Sequence, residues 1–379
     1  MLPSACSRKS GKTGQMLNIK KQIRSLYSSS VFAQLSLSGA WVAILAARGF
    51  SLAQIGFAET VFHIVSILFE IPSGVIADVF GRKKTLLLSC LMRITGNLVM
   101  IFSNNFALVC VSIAFQALNY NFSSGSGDAL AYDSLKSVGQ ESRFEKYASN
   151  QIIIYRVCEG ISTLTAGLSL FLGYKISYGV SVLFALVQLF ILSTLTEVRI
   201  EDDSVHKKLH VQEEILRCFG QSFLFLRKSK KAVGMMFVNS LIGAMDILLL
   251  FFLQAKLPAA GIPKWALGPA LLLMQGGGVL GARLILRAEK INYRVVFVTS
   301  LSLILGGIFM EHTGLYILMT LGGFIAALAD DALQVRTNAI LQNMFPSEQR
   351  ATLISVESFT FSCIMIILSP LAGVFFERW

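Results

Sequence analysis

The sequence predicts an all-α, polytopic membrane protein, and three observations lead to that prediction. Hydrophobic residues make up 54% of the 379 positions and charged residues 15%, whereas soluble domains carry about 25% charged residues. Apolar stretches of about 20 residues, the length that crosses a bilayer, recur along the whole chain. Basic residues are concentrated in alternate loops between these stretches. This composition excludes a disordered chain, a disulfide scaffold and an ordinary soluble enzyme.

Eleven apolar stretches are long enough to span a membrane. They cover residues 26–48, 52–77, 84–103, 105–132, 146–172, 177–197, 230–255, 264–287, 294–311, 314–343 and 350–376. The segment before them, 1–25, is polar and basic and predicts a cytoplasmic tail. The longest polar interruption, 198–229, predicts a cytoplasmic linker between an N-terminal six-helix bundle (26–197) and a C-terminal bundle of five spans (230–379).

The basic residues indicate how the chain crosses the membrane. With the N-terminus in the cytoplasm, 24 of the 33 Lys and Arg residues fall in cytoplasmic segments and five in outer segments, while the remaining four lie within spans. Cytoplasmic loops of membrane proteins carry such an excess. The same rule accounts for the net charge of +11 without nucleic acid as a partner. We therefore expect a multi-pass protein of the cell membrane with a cytoplasmic N-terminus.

Three short matches relate the two halves of the chain. The segment 74–78 (GVIAD) aligns with 278–282 (GVLGA), 128–130 with 331–333 (both DAL), and 141–143 (ESR) with 348–350 (EQR), at offsets between 203 and 207 residues. A nearly constant offset predicts a duplicated six-span unit whose two copies have the same orientation. The second copy has five spans, so we expect a twelfth span to be missing and the second bundle to be truncated.

The loop after the second span carries the most specific motif of the chain. Residues 70–84 read EIPSGVIADVFGRKK, and residues 124–135 read SGSGDALAYDSL. From the first span onward the chain resembles a bacterial branch of the major facilitator superfamily, whose GxxxDxxGRR/K loop signature is matched by Gly74, Ala77, Asp78, Gly81, Arg82 and Lys83. The resemblance implies two six-helix bundles that work by alternating access. It also implies that this loop braces the state closed to the cytoplasm against span 11.

The chemistry of this loop supports a role as a gate. Gly74 would let another helix approach closely. Asp78 lies at the C-terminal end of its own helix, where the helix dipole disfavours an anion. It therefore needs a partner, which would be Arg82 or the N-terminus of a neighbouring helix. A contact made in one conformation only would bias a two-state transporter.

The second span also carries a polar stripe. One face presents Glu59, His63, Ser66, Glu70 and Gly74. An acid and a histidine inside a membrane span are costly unless they face a cavity or a partner. Glu59 and His63 are therefore candidates for a proton or substrate site, and Glu70 for a gate. Packing against polar groups of span 11, or snorkelling towards the interface, remains an alternative.

Polar residues in other spans extend the list of cavity candidates. Arg156 and Glu159 are three residues apart in span 5 and predict either a cavity charge pair or a self-neutralising structural pair. Asp246 lies deep in span 7 with no basic residue nearby in sequence, a position that suits proton coupling. Gln34 and Gln254 are weaker candidates because single polar residues are common in spans.

Further charged residues are placed symmetrically near the cytoplasmic ends of spans. Asp128 and Asp133 in the first half correspond to Asp331 and Arg336 in the second, and Arg350 begins span 11. Their symmetry favours contacts of a cytoplasmic gate over substrate binding.

The sequence also argues against other functional classes. The segment SGKT at 10–13 lacks the glycine that a P-loop requires at the position of Cys6. The four histidines are dispersed, HExxH and GxSxG are absent, and the six cysteines never form CxxC. We therefore expect no enzyme activity, no metal and no cofactor.

The resulting hypothesis is a secondary active transporter that moves a small solute by alternating access, coupled to protons. Its expected partners are a small-molecule substrate, protons and membrane lipid, and the expected state is a monomer. Uptake and efflux both stay open, as does the identity of the substrate. The alternative is a non-transporting membrane receptor or a channel-like protein.

Overall fold

A computed structural model describes residues 18–198, 227, 229–288, 290–344 and 350–378, with residues 350–355 as backbone only. Within this part of the chain there are no strands. The helices are α1 (Ile19–Gln34), α2 (Trp41–Ala47), α3 (Leu52–Phe80), α4 (Arg82–Phe102), α5 (Phe106–Ser123), α6 (Ser126–Lys136), α7 (Phe144–Leu164), α8 (Ala166–Leu172), α9 (Tyr174–Ser193), α10 (Lys230–Ala259), α11 (Lys264–Arg287), α12 (Tyr293–Glu311), α13 (Tyr316–Met344) and α14 (Arg350–Arg378). The predicted tail and linker lie largely outside the described residues.

The predicted spans are helical, and nine helical segments of the described chain are long and apolar enough to cross a membrane. The spans predicted at 26–48 and 146–172 are not among these nine, and each is broken into two helices, α1 with α2 and α7 with α8. The span predicted at 105–132 also changes direction locally, at Gly125, whose φ of +69° is readily adopted only by glycine. The all-α membrane architecture is thus confirmed, with three interrupted spans that the apolar pattern did not indicate.

The interruption between α1 and α2 is held by polar side chains from other helices. Arg93 of α4 donates hydrogen bonds to the carbonyl oxygens of Phe32 and Leu35, at 2.7 and 3.0 Å. The backbone amide of Ser36 donates to the hydroxyl of Ser162, at 3.1 Å. Backbone groups freed inside a membrane must find such partners, since the lipid offers none.

The two halves of the chain meet where helices of one half cross helices of the other. α3 packs against α14, α2 against α10, and α7 and α8 against α11. Within the first half, α4 packs against α5 and α9. Within the second half, α13 is central and packs against α10, α11 and α12.

Glycines bring these crossings together at one end of the molecule, which we call the closed end. There, residues 52–56 of α3 lie against residues 369–373 of α14. A Cβ atom at Gly56 would overlap the backbone of Ser369, and one at Gly373 would overlap that of Leu52. A Cβ atom at Gly167 of α8 would likewise overlap the backbone of Lys264 of α11. Small residues allow helices in a membrane to approach this closely.

The opposite end, where α3 finishes at Phe80 and α4 begins, is called the open end. Here the last turns of α3 are exposed on several sides, including Glu70, Val75 and Asp78. Among the described residues, a Cβ atom placed on Gly74 would meet nothing within 4 Å. Within this part of the chain, the close approach expected at Gly74 is therefore not made.

Candidate functional site

A cavity of about 600 Å³ lies between the two halves. Its walls are formed by α3 and α5 on one side and by α10, α13 and α14 on the other. His63 of α3 is seven residues beyond Gly56, and Ser362 of α14 is seven residues before Ser369, so the cavity begins about 10 Å from the closed end. It continues towards the open end as far as Gln342 and Glu357.

His63 connects the two halves across the cavity wall. Its Nδ1 atom lies 3.3 Å from the hydroxyl of Ser362, and its Nε2 atom lies 3.3 Å from Oε1 of Glu59. The rings of Phe62 and Phe361 pack edge-on against the imidazole. His63 therefore lines the cavity and also packs against span 11. Glu59 lies behind it and is not among the lining residues.

The wall formed by the second half is made largely of carboxamides, hydroxyls and one carboxylate. The amide nitrogen of Asn239 donates to Oε1 of Glu357, at 2.9 Å. The amide nitrogen of Gln334 donates to Oδ2 of Asp330, at 2.8 Å. Gly243 makes room for this pair, because a Cβ atom there would stand 3.3 Å from the Gln334 nitrogen and 3.8 Å from Oδ1 of Asp330.

Three carboxyl groups lie together beside this wall. Asp246 of α10 and Asp330 of α13 are 5% and 4% exposed, and Asp331 is partly exposed. The three are close enough for their charges to repel one another when ionised. The Oδ1 atoms of Asp246 and Asp330 have no hydrogen-bond partner among the described residues. Asp246, a candidate from sequence, thus lies in a cluster that the sequence alone did not assemble.

Other cavity candidates lie outside the described wall. Arg156 and Glu159 form an ion pair at 3.2 Å, but the arginine side chain is 72% exposed and neither residue lines the cavity. Arg156 nevertheless lies close enough to Asp331 of the opposite half for their charges to interact. Gln34 is exposed at the end of α1, and Gln254 lies towards the end of α10; neither is among the lining residues.

The loop signature forms a compact set of contacts within the first half. Asp78 pairs with Arg82 at 2.8 Å, the nearer of the two partners that its position at a helix C-terminus suggested. Gly81, with φ of +102°, turns the chain into α4. The carboxylate of Glu197 accepts hydrogen bonds from the backbone amides of Arg82 and Lys83, both at 2.9 Å. Glu197 therefore caps α4 and compensates its dipole.

The remaining gate candidates are distributed over both halves. Asp128 is exposed in the first turn of α6, and Asp133 of the same helix lies close enough to Arg82 for their charges to interact. Arg336 donates to the backbone carbonyl of Ala288. Asp331 lies against Gly278, where a Cβ atom would overlap its carboxylate.

Arg350 begins α14, and its side chain lies outside the described residues. Glu70 is exposed, and its backbone carbonyl accepts a hydrogen bond from the hydroxyl of Ser73 at 2.9 Å. The described hydrogen bond of Glu70 thus lies within its own helix.

Sequence reasoning missed four residues that contribute to the sites: Asn239, Gln334 and Glu357 in the cavity wall and Glu197 at the loop. A usable signal existed for Glu357, because it is a lone carboxylate within a long apolar stretch, and such residues usually face a cavity or a partner. Carboxamides give no comparable signal, since their cost in a membrane is lower and their pairing depends on the neighbouring helix.

Comparison with known proteins finds similarity along most of the chain. A model of the Major Facilitator Superfamily matches residues 26–370. The uncharacterized MFS-type transporter YxaM of Bacillus subtilis (strain 168) is 29% identical over 123 residues, which are 32% of this chain and 30% of that protein. The matched part of the chain thus spans about a third of that relative's length.

Solved structures share the fold over nearly the whole chain. The nucleoside transporter NupG has a TM-score of 0.71 at 14% identity, covering 96% of this chain and 92% of its own. A bacterial homolog of the human lysosomal transporter Spinster, inward-facing and unoccupied, has a TM-score of 0.66 at 16% identity, with coverages of 93% and 80%. A D-xylose-proton symporter has a TM-score of 0.61 at 11% identity, with coverages of 93% and 88%. At these identities the likeness shows the fold alone.

Proposed function

Because this chain belongs to the Major Facilitator Superfamily, we propose that it moves a small polar solute across the cell membrane by alternating access, coupled to protons. The chain is a multi-pass membrane transporter and not an enzyme. The proposal concerns the finer points: the location in the cell membrane, the orientation, the polarity of the solute and the coupling ion.

One observation carries the proposal. The cavity between the halves is bounded on one side by the helix crossings of the closed end, whereas α3 is exposed at the open end. A site between two repeats, shut on one side, is what one state of an alternating-access cycle requires. A channel needs a continuous path in its conducting state, and a receptor needs no second state in which the other end opens.

The distribution of basic residues supports an orientation for this state. The first turn of α4 carries Arg82, Lys83 and Lys84, and it lies at the open end. Because cytoplasmic loops are rich in Lys and Arg, the open end would face the cytoplasm, as would the N-terminus. The described conformation would then be the inward-facing one.

Carboxyl groups within the membrane support proton coupling. Asp246 and Asp330 are almost fully buried, each with one oxygen lacking a hydrogen-bond partner among the described residues. Chains of acidic and histidine side chains in transporters carry protons. The Glu59–His63 pair, whose histidine lines the cavity, is the second candidate.

Alternating access can be tested before the solute is known. In a cysteine-free variant, one pair of spin labels at Asn104 and Thr313 reports on the closed end, and another at Ser137 and Lys290 reports on the open end. Double electron–electron resonance in lipid nanodiscs should reveal two populations whose distances change in opposite directions as the pH is varied. A control pair at Asn104 and Ser137, both in the first half, should keep one distance.

The outcome separates the candidate functions. Reciprocal changes at the two ends would support a transporter. A single population at both ends under all pH values and lipids, or simultaneous opening of both, would contradict alternating access and favour the receptor or channel. Uptake into proteoliposomes with and without a proton gradient then tests the coupling for any solute that raises the unfolding midpoint of the purified protein.

A further inference from the structure

We propose that the cavity accepts a small organic cation whose ammonium group faces the second half of the chain. The apolar part of this solute would lie against aromatic rings of both halves. The inference rests on the transport function proposed above, because it names the substrate class of the same cavity. It follows from the hydrogen-bonding atoms, the charges and the rings that line the space.

Acceptor atoms without partners point to a ligand rich in donors. Asn239 and Ser240 line the cavity and are 8% and 4% exposed. Oδ1 of Asn239 and Oγ of Ser240 have no hydrogen-bond partner among the described residues. The bond from the Asn239 nitrogen to Glu357 fixes the orientation of the amide, so its unpaired atom is the oxygen. A buried acceptor of this kind is costly unless a donor reaches it.

A carboxylate stands directly behind the same wall. Asp330 is 4% exposed, and its Oδ1 atom also lacks a hydrogen-bond partner among the described residues. Gly243 lines the cavity and provides no side chain to shield this atom, which lies 3.8 Å from where a Cβ would stand. Glu357 contributes a second carboxylate, in the wall itself. Charged groups removed from water need a partner of opposite sign.

Basic groups that could serve an anion are absent from the described lining, which contains no Lys or Arg. Arg156 is paired with Glu159, and Arg336 donates to a backbone carbonyl next to α11. The remaining titratable base in the wall, His63, is in contact with Glu59. A carboxylate or phosphate solute would therefore meet carboxylates without a compensating cation.

Neutral polar solutes fit less well than cations because they bring no charge to set against the carboxylates of the wall. The amide nitrogens of Asn239 and Gln334 already donate to carboxylates. A sugar or other polyol would leave the charges of Glu357 and Asp330 without a partner of opposite sign. An ammonium group brings three donors and no acceptor. The carboxylates and the unpaired acceptor atoms in this part of the cavity thus favour a cation.

Aromatic rings provide a surface for the rest of the solute. Phe62 and Tyr120 line the cavity from the first half, and Phe361 lines it from the second. Aromatic faces attract organic cations as well as apolar groups. The volume of about 600 Å³ is within the range of sites for small ligands. A solute with one amine and a compact apolar body would meet both kinds of surface.

The test uses matched series of probes on the purified full chain. Phenylethyl, cyclohexylethyl and butyl compounds are each prepared with an ammonium, a hydroxyl or a carboxylate head group. We expect dose-dependent rises of the unfolding midpoint for ammonium compounds, with hydroxyl and carboxylate compounds giving none. Larger shifts with hydroxyl or carboxylate heads, or no shift with any ammonium compound, would overturn the inference.

Variants then connect binding to the wall. In Glu357→Gln the new amide oxygen can still accept from Asn239, so only the charge is removed. We expect the dissociation constant of the ammonium probe to rise about tenfold or more. Asp330→Asn, which can likewise keep its bond to Gln334, should act in the same direction. The control Glu141→Gln removes an exposed carboxylate outside the wall and should leave binding unchanged.

The failure of this inference can be distinguished from that of the transport function. If ammonium probes bind in a way that depends on Glu357 but the two ends never open reciprocally, the proposed transport function is contradicted and the proposed ligand class stands. If the two ends open reciprocally but the protein prefers hydroxyl or carboxylate probes, the transport function stands and the proposal of a cationic substrate is rejected. If Glu357→Gln and the parent protein bind the ammonium probe equally well, this wall is not part of the binding site, and the inference is again rejected.

Discussion

The carboxylate of Glu377, near the end of α14, accepts a hydrogen bond from the backbone amide of Ala53, 3.0 Å away, in the first turn of α3. The two residues are 324 positions apart and belong to different halves of the chain. A negative charge at a helix N-terminus is stabilised by unpaired amides and by the helix dipole. This bond therefore helps to hold the closed end together.

Glu377→Gln should weaken the closed end. Loss of a carboxylate at a helix N-terminus costs about 0.3–1 kcal/mol, enough to change a balanced population about two- to fivefold. The spin-label pair at Asn104 and Thr313 should then show more of the long distance. Glu141→Gln, which alters an exposed carboxylate at the open end, serves as the control. An unchanged distance distribution would mean that the bond does not bias the conformation.

Gly167→Ala should destabilise the crossing of α8 with α11. The added methyl group would overlap the backbone of Lys264, so the helices must separate. Overpacking of this kind costs about 1–3 kcal/mol. We expect the unfolding midpoint of the purified protein to fall by about 3 °C or more.

Gly179→Ala is the matched control for that substitution. Within the described chain, a Cβ atom at Gly179 would meet nothing within 4 Å, and alanine favours a helix over glycine. Its midpoint should stay the same or rise slightly. If both variants behave alike, the close approach at Gly167 does not contribute to stability.

Glu197→Leu should loosen the start of α4. The carboxylate accepts from two amides there, and loss of a helix cap costs about 0.5–2 kcal/mol. Hydrogen exchange measured by mass spectrometry should be several-fold faster in peptides that cover residues 81–86. Peptides from α12, which is remote from this cap, provide an internal reference. Unchanged exchange at 81–86 would show that other groups satisfy these amides.

Single cysteines can test the orientation of the chain. A cysteine at Ser137, at the open end, should react with a membrane-impermeant maleimide only when the cytoplasmic face is accessible. A cysteine at Thr313, at the closed end, should react from outside in intact cells. Both residues are exposed, so access across the membrane decides the labelling. The reverse pattern would invert the orientation that the basic residues predict.

Local features of the sequence were sufficient for part of the candidate site. Asp78 and Arg82 lie four residues apart, on either side of the turn at Gly81, so their ion pair is a contact between neighbours in sequence. His63 and Glu59 have the same spacing and are also in contact. Such pairs need no knowledge of which helices are neighbours. Arg156 and Glu159 also pair, as their spacing predicts, yet their distance from the described cavity could not be read from the chain.

By itself, the sequence determined that this is an all-α membrane protein of the Major Facilitator Superfamily, because hydropathy and the loop motif can both be read from short stretches of the chain. Only the tertiary structure decided that Asn239 meets Glu357, 118 residues away, and that Gly243 opens the wall towards Asp330. It also decided that polar side chains hold the break between α1 and α2. These contacts depend on which helix faces pack together and on how far the helices are shifted along their axes. The apolar period of a single span determines neither the face nor the shift.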